Sequence, residues 1–191
     1  IGQIELMNLF SQTFSKFGLN ISQILLTLDD TEERRRSINA KRTLENLFQL
    51  GYIPVVNEND TIATSEIKFG DNDRLASRVA QITNADTLIL LSDVDGLFTK
   101  NPKIFKDAKL IKKVNDLDKD IKNINIKGIT EFGKGGMITK IEAAKICNLA
   151  GCNMIIANGL HLNPISQIEK KNNCTLFISK ISKLHARKKW I

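Results

Sequence analysis

The segment "FGKGGMITK" at residues 132–140 places a pair of glycines directly ahead of a predicted helix. Backbone N–H groups at the N-terminus of a helix can point at an anion, and Lys140 adds a positive charge in the first turn. This combination indicates a phosphate-binding segment, although it has neither the GxGxxG spacing nor that of a P-loop. A glycine-rich loop with a surface lysine is the alternative that these residues alone leave open.

A second candidate segment is "LLSDVDGLFTKNP" at residues 90–102, where a predicted buried strand ends in Ser92, Asp93 and Asp95. Carboxylates at the end of a strand could accept hydrogen bonds from a ribose or a nucleobase. They could also hold water around Mg²⁺, which favours one or two carboxylates together with substrate phosphates. For Asp95, which precedes Gly96, a simple Asp-Gly turn is the favoured alternative.

The third candidate is "NENDTIATSEIKFGDND" at residues 57–73, where carboxylates and amides crowd both ends. The alternation in "TSEIKF" predicts a small hairpin that would fold the two ends against each other. Carboxylates and amides together suit an amino acid, which has an ammonium group to receive and a carboxylate to be donated to. For about half of these residues, turn formation and helix capping are the alternative. The polar residues concerned are Asn57, Glu58, Asn59, Asp60, Asp71, Asn72 and Asp73.

The elements around these segments alternate between strands and helices. Apolar runs predict strands at 21–30, 52–56, 86–93, 152–159 and 174–178. Helical patterns cover 1–17, 31–51, 74–85, 135–151 and 163–171. Thr31 is the expected N-cap of the second helix, and Gly18 and Gly51 are expected to end the first two. The run at 86–93 is uniformly apolar, which predicts a strand buried on both faces of a parallel sheet.

This alternation predicts βαβ units, a parallel sheet and helices on both of its faces. Ligands of such sheets bind at the carboxyl ends of the strands. Three polar clusters follow predicted strands there: Asn57 to Asp60, Ser92 to Asp95, and Asn158 with Gly159. The topology therefore favours a ligand site built from these clusters.

Length and charge narrow the class of protein. The chain has 191 residues, of which 42% are apolar, enough for one substantial domain. Residues 1–100 hold 10 Lys and Arg against 14 Asp and Glu, whereas residues 101–191 hold 18 against 7. The balances are −4 and +11, and a basic half can bind either nucleic acid or a phosphate-rich small ligand.

The sequence shows neither a membrane span nor a signal peptide, which favours a cytoplasmic protein. No window reaches 18 consecutive apolar residues, and the start "IGQIELMNLF" lacks the regions of a signal peptide. The three cysteines, Cys147, Cys152 and Cys174, have no metal-ligand spacing and are expected to be small buried thiols. No metal-ligating residue is predicted.

In their sequences and in their order along the chain, these motifs resemble those of the amino acid kinase family, and within it the kinases that phosphorylate glutamate. "PVVNENDTIATSEIKFGDNDRLASRVA" resembles that group's substrate loop, and "LILLSDVDGLFTKNP" resembles its nucleotide segment. "GKGGMITKIEAA" is similar to its phosphate-binding glycine motif, and "ARKKWI" to the end of its kinase domain. The resemblance runs from Ile1 to Ile191 and implies a three-layer αβα sandwich with a mainly parallel central sheet.

The resemblance also implies a reaction. ATP, with Mg²⁺, would phosphorylate the side-chain carboxylate of L-glutamate to give L-glutamyl 5-phosphate, the first step of proline synthesis. Asp60 and Asn72 would bind glutamate, with Asn57, Asp71 and Asp73 as supporting residues. Lys140 would stabilise the transferring group. The residues implied at the nucleotide are Ser92, Asp93, Lys134, Gly135, Gly136, Met137, Ile138, Thr139 and Lys140.

The chain departs from the family pattern in several places. Lys134 stands where the family usually has Thr or Ser before the paired glycines. The family's N-terminal segment, with its lysine-containing glycine loop, has no counterpart, and neither has the nucleic-acid-binding domain that often follows. We therefore expect residues 1–191 to be one truncated kinase domain. The resemblance further implies a homo-oligomer that is inhibited by proline and has no membrane partner. Binding of ATP explains the positive charge of the second half better than binding of RNA does.

Two alternatives stay open at this point. A sister kinase could act on another small acid. From a different class, the chain could be a regulatory or RNA-binding module without catalysis. The C-terminal "KISKLHARKKWI" carries a single aromatic residue, Trp190, among basic ones, and a solvated tail is favoured over a nucleic-acid patch there.

Overall fold

The computed structural model describes residues 2–61, 72–123, 136–170 and 173–181. The chain divides into two compact units, residues 1–75 and residues 76–191. The predicted hairpin in "TSEIKF" and most of the basic C-terminal stretch lie outside the described residues.

The first unit pairs two parallel strands with three helices. Its elements are α1 (Gly2–Ser15), β1 (Asn20–Leu26), α2 (Leu28–Glu32), α3 (Arg34–Gln49) and β2 (Tyr52–Glu58). β1 and β2 are parallel and in register from Asn20 opposite Tyr52 to Leu26 opposite Glu58. Gly18 and Gly51, which follow α1 and α3, have φ of +70° and +75°, a conformation that favours glycine. The predicted ends of both helices are therefore confirmed.

The predicted N-cap Thr31 is wrong. The helical stretch begins earlier, at a capping box in which the backbone N–H and hydroxyl of Thr27 donate to Asp30 Oδ2 at 2.8 and 2.7 Å. Thr31 lies buried inside α2, and its hydroxyl donates to the carbonyl of Leu28 at 2.8 Å. Glu33 has extended backbone, with φ −72° and ψ 123°, and separates α2 from α3. Both signals are short-range, and the Thr27 and Asp30 pair is the one that forms, with the backbone N–H of Thr27 bonded to the Asp30 carboxylate.

The second unit contains a mixed four-stranded sheet. Its elements, α4 of which begins in the first unit, are α4 (Asn72–Thr83), β3 (Thr87–Ser92), β4 (Lys113–Val114), α5 (Leu117–Asn123), α6 (Gly136–Ala150), β5 (Asn153–Asn158), α7 (Pro164–Glu169) and β6 (Cys174–Phe177). The strand order is β3-β5-β6-β4, with β3 parallel to β5, β5 antiparallel to β6 and β6 parallel to β4. Among the described strands of both units, three of the four pairings are parallel, which confirms the α/β class.

The core of the second unit lies between α6 and β5. Met154 and Ile156 of β5 are completely buried, as is Ala143 of α6. Cys147 and Cys152 are also buried, as predicted, whereas the same prediction is wrong for Cys174, which is half-buried. A hydrogen bond with Cys152, together with burial, raises the pKa of the Cys147 thiol, so it stays protonated and acts as a small apolar group.

The predicted burial of the run at 86–93 on both faces is wrong. Within β3 only Leu90 is buried, while Ile89 and Leu91 keep 36% and 50% of their surface exposed. β3 is the outer strand of the described four-stranded sheet, whereas β5 is flanked by β3 and β6. The apolar content of the two strands is similar, so their positions in the sheet decide which one is enclosed.

None of the described helices has the length and hydropathy needed to cross a membrane.

Candidate functional site

Ser92 and Asp93 lie at the carboxyl end of β3, the position predicted for them. The Ser92 hydroxyl donates to Asp93 Oδ1 at 3.2 Å, and the carboxylate of Asp93 is exposed. The N–H of Gly159 donates to the carbonyl of Ser92 at 2.8 Å. This bond joins the end of β3 to the end of β5, because neighbouring parallel strands finish at the same edge of the sheet.

Asp95 and Asn158 have structural roles in this region. Asn158 Nδ2 donates to Asp95 Oδ1 at 3.0 Å, and Asn158 Oδ1 accepts from the N–H of Leu160 at 2.9 Å. His161 Nε2 lies 3.8 Å from the same carboxylate oxygen of Asp95. The turn alternative for Asp95 therefore fits its contacts, and the amide of Asn158 is used to hold two loops.

Thr175 of β6 fixes the segment that leaves this turn. Its buried hydroxyl accepts from the N–H of Leu97 at 2.8 Å and donates to the carbonyl of Ile111 at 2.7 Å. Gly96 is packed so closely that an added Cβ would lie 2.9 Å from the backbone nitrogen of Thr175. One hydroxyl thus holds both ends of residues 97–111.

Replacing Thr175 with valine is expected to destabilise the protein by about 2 kcal/mol. Valine keeps the shape but leaves the N–H of Leu97 and the carbonyl of Ile111 without their buried partner. Urea unfolding at 25 °C measures the change. The control is Thr43→Val, since the exposed Thr43 hydroxyl donates only to the carbonyl of Asn39 in its own helix. A control loss above about 0.5 kcal/mol, or no loss for Thr175→Val, would contradict this expectation.

A cavity of about 300 Å³ and another of about 130 Å³ lie in the second unit. The smaller one brings together residues from three segments of the chain. Its lining consists of Ser92, Asp93, Val94, Lys103, Gly136, Met137 and Lys140. The nucleotide segment and the first turn of α6 thus meet at one cavity, which has two lysines and one carboxylate.

The remaining predicted nucleotide residues lie on α6 or outside the described part of the chain. The Thr139 hydroxyl donates to the carbonyl of Gly136 at 3.1 Å, and Ile138 is exposed; neither lines the cavity. Lys134 and Gly135 are not among the described residues.

Sequence reasoning did not single out Lys103, although it lines the same cavity. The only local signal was its position two residues after Asn101, a residue type that favours tight turns. A lysine in such a turn could point in any direction from sequence alone.

The larger cavity lies beside the carboxyl end of β5 and α7. It is lined by Ala157, Asn158, His161, Pro164, Gln167, Ile168 and Asn173. The carboxamide of Asn158 is committed to Asp95 and Leu160, and the lining includes no Lys, Arg, Asp or Glu side chain. The smaller cavity, with its two lysines and one carboxylate, is therefore the candidate site.

The first half of the residues predicted to bind glutamate lies at the carboxyl end of β2, in the first unit. Asn57 is paired with Leu25 in the second-last pair of the β1–β2 register, and the N–H of Asn59 donates to the carbonyl of Leu26 at 2.9 Å. The side-chain oxygen of Asn59 accepts from the N–H of Thr61 at 3.3 Å. Asp60, between them, has an exposed side chain. The amide of Asn59 builds the turn, and the turn presents Asp60.

The second half of the residues predicted to bind glutamate lies at the start of α4. Asn72 is exposed and Asp73 is half-buried, and both lie in the first turn of the helix. A carboxylate there is favoured by the helix dipole, which fits the capping alternative for Asp73. Arg74 Nη2 lies 3.2 Å from Glu32 Oε1, an ion pair between two residues of the first unit. Asp71 lies outside the described residues.

No group of three or more His, Cys, Asp or Glu side chains within the described ranges is arranged to hold a metal ion.

Comparison with protein families gives a match for residues 1–158 to the model of the amino acid kinase family. Among curated proteins, the glutamate 5-kinase of Pelagibacter ubique is 71% identical over all 191 residues, which cover 52% of that protein. The glutamate 5-kinase of Agrobacterium fabrum is 48% identical over all 191 residues, which cover 49% of it. The chain thus spans about half the length of the curated relatives it matches.

Solved structures share the fold at low sequence identity. An isopentenyl phosphate kinase substrate complex matches 92% of this chain and 66% of its own, with a TM-score of 0.58 and 18% identity. UMP kinase from Ureaplasma parvum matches 86% of this chain and 62% of its own, with a TM-score of 0.55 and 15% identity.

Proposed function

The chain belongs to the amino acid kinase family, and on that premise we propose that it transfers the γ-phosphate of ATP to the side-chain carboxylate of L-glutamate. The product is L-glutamyl 5-phosphate, which enters proline synthesis. The observation that supports this most directly is the cavity shared by Ser92, Asp93 and Lys140. The 71% identity to a glutamate 5-kinase supports the choice of substrate.

The phosphate groups of ATP are proposed to bind at this cavity. Backbone N–H groups in the first turn of α6 lack helical partners and can donate to phosphate oxygens. Lys140, half-buried at the cavity, neutralises charge on the group being transferred. Lys134 and Gly135 are proposed to contact phosphates as well, and Met137, Ile138 and Thr139 belong to the same segment.

Mg²⁺ is proposed as a counterion of these phosphates. It usually keeps several waters and binds through one or two carboxylates together with substrate phosphates. Asp93 is the carboxylate that lines the cavity, and it is exposed. A cation there would lower the charge that the incoming carboxylate has to approach.

Glutamate is proposed to bind through Asp60 and Asn72. The carboxylate of Asp60 receives the substrate's ammonium group, and the carboxamide of Asn72 donates to a substrate carboxylate. Asn57, Asp71 and Asp73 support these two residues by holding the turn and the start of α4.

The chemistry needs no general base. The side-chain carboxylate of glutamate is already an anion at neutral pH, so an oxygen lone pair attacks the γ-phosphorus directly. The bond from that phosphorus to the β,γ-bridging oxygen breaks, and its electron pair leaves on ADP. Catalysis then depends on positioning and on positive charge near the transferring group.

Three further expectations remain predictions from the family resemblance: a single kinase domain over residues 1–191, inhibition by proline and association into a homo-oligomer. The cytoplasmic location remains a prediction from the sequence. A kinase for another small acid and a non-catalytic RNA-binding module remain the competing functions, and the experiment below separates them.

Mg-ATP and L-glutamate, added separately, are each expected to raise the melting temperature of the protein. A ligand that binds only the folded state stabilises it by about 2.7 kcal/mol at 100 times its Kd. Differential scanning fluorimetry measures both shifts, and an ADP-release assay tests whether turnover requires glutamate. D-glutamate and succinate are the matched controls.

Turnover with succinate but not with glutamate would favour the sister kinase. Salt-sensitive RNA binding without any stabilisation by Mg-ATP would overturn the kinase proposal.

A further inference from the structure

The cavity at the start of α6 is lined by a second lysine, Lys103, which has no role in the reaction proposed above. Lys103 and Lys140 belong to segments more than 30 residues apart in the sequence, yet both line this space of about 130 Å³. Asp93 is the one carboxylate in the same lining, so the charged side chains of this cavity sum to a net positive charge. A lining with a net positive charge favours an anionic ligand.

The turn that carries Lys103 is built by specific bonds. Asn101 is buried, with 6% of its surface exposed, and its side-chain oxygen accepts from the N–H of Lys103 at 2.9 Å. The carbonyl of Asn101 accepts from the N–H groups of Ile104 and Phe105 at 3.1 and 2.8 Å. Residues 97–111 are held at both ends by Thr175. The backbone of Lys103 is thus anchored while its side chain remains exposed.

Neighbouring lysines in the same segment differ from Lys103. Lys100 Nζ lies 2.7 Å from Asp107 Oδ2, and this hydrogen bond lowers the pKa of the Asp107 carboxyl. Lys106 is exposed and does not line the cavity. No carboxylate among the described residues pairs with Lys103. Of these three lysines, Lys103 is the one placed to meet a ligand.

We propose that Lys103 is a further phosphate-binding residue, whose ammonium group contacts the polyphosphate chain of the nucleotide opposite Lys140. The proposal rests on the function proposed above for this cavity. Two lysines on separate segments would bind the polyphosphate from two directions. Lys140 acts on the group being transferred, and Lys103 on the phosphates that remain with ADP.

The test compares Lys103→Ala with Lys106→Ala in the full chain. Lys103→Ala is expected to raise the Kd for Mg-ATP and for inorganic tripolyphosphate by about 10- to 100-fold, the usual range for a lost charge-assisted hydrogen bond. The Kd for adenosine, which has no phosphate, should change by less than about twofold. Lys106→Ala should bind all three ligands like the wild type. Isothermal titration calorimetry at fixed salt measures these values.

Steady-state kinetics and a conservative variant add a second readout. Lys103→Ala should raise the KM for ATP by about 10-fold while kcat falls by less than about threefold, because the contact is made before and during transfer. The KM for glutamate should not change. Lys103→Arg keeps the charge and should restore ATP binding to within about threefold.

The possible outcomes separate the two proposals. Equal loss of adenosine and ATP binding in Lys103→Ala, or unchanged ATP binding, overturns the role of Lys103. A wild-type protein that binds neither Mg-ATP nor tripolyphosphate also overturns it. Loss of phosphate affinity in Lys103→Ala, in a protein that does not phosphorylate glutamate, supports Lys103 and overturns only the proposed reaction.

Discussion

Lys140→Met is expected to lower kcat for glutamate-dependent ATP cleavage by about 10²- to 10³-fold. Removing one group that stabilises developing charge in a transition state typically costs this much. Lys140 is half-buried at the cavity that also contains Ser92 and Asp93, so its charge acts where water is partly excluded. Methionine keeps the length of the side chain and removes the charge. Initial rates of ADP release at saturating ATP and glutamate measure the effect.

Lys145→Met is the matched control for this experiment. Lys145 lies on the same helix, is exposed and does not line the cavity, so its loss should leave kcat within about twofold. The melting temperatures of both variants show whether folding has changed. A kcat for Lys140→Met close to that of the wild type would exclude Lys140 from catalysis. An equal loss in both variants would indicate a general effect of charge.

Asp60→Asn is expected to lower kcat/KM for glutamate by about 10- to 100-fold, with the KM for ATP unchanged. The two side chains have the same shape, but the amide has no charge with which to receive the substrate's ammonium group. Hydrogen bonds to charged groups contribute about 1.5–3 kcal/mol, which corresponds to this range. Asp60 is exposed at the end of β2, so the substitution should not alter the fold.

Glutarate tests which part of the substrate Asp60 contacts, because glutarate lacks the amino group of glutamate. If Asp60 receives the ammonium group, Asp60→Asn should change turnover of glutamate strongly and turnover of glutarate by less than about twofold. Glu45→Gln, an exposed position on α3, provides the control for loss of one negative charge in the same unit. Equal losses with both substrates would contradict the role assigned to Asp60.

Several features could be predicted from short stretches of sequence. The first helix ends before Gly18 and the third before Gly51, because a positive φ costs glycine little and ends the helical hydrogen-bond pattern. The carboxyl end of β3 carries Ser92 and Asp93 as expected, and α6 begins at Gly136. The resemblance to the amino acid kinase family is confirmed by the match over residues 1–158. Each of these depends on local backbone geometry or on motifs that are continuous in the chain.

Other features were predicted wrongly from the sequence. Thr31 looked like a cap, but a bond between two nearby residues, Thr27 and Asp30, starts the helical stretch earlier. The apolar runs of β3 and β5 look alike, and only the strand order shows that β3 is an outer strand of its described sheet. Neither difference can be read from hydrophobic periodicity, because periodicity reports which faces are apolar and not what covers them.

The sequence by itself determined the chemistry available to this protein: a glycine-opened helix with Lys140, an acidic strand end, and an island of amides and carboxylates around Asp60. These follow from residue types at fixed spacing, which set local backbone conformation and charge. Only the tertiary structure placed Lys103 at the same cavity as Lys140, because that approach depends on the Asn101 turn and on Thr175. Two hydrogen bonds of Thr175, to residues 78 and 64 positions away in the chain, hold this segment, and sequence spacing carries no information about such contacts.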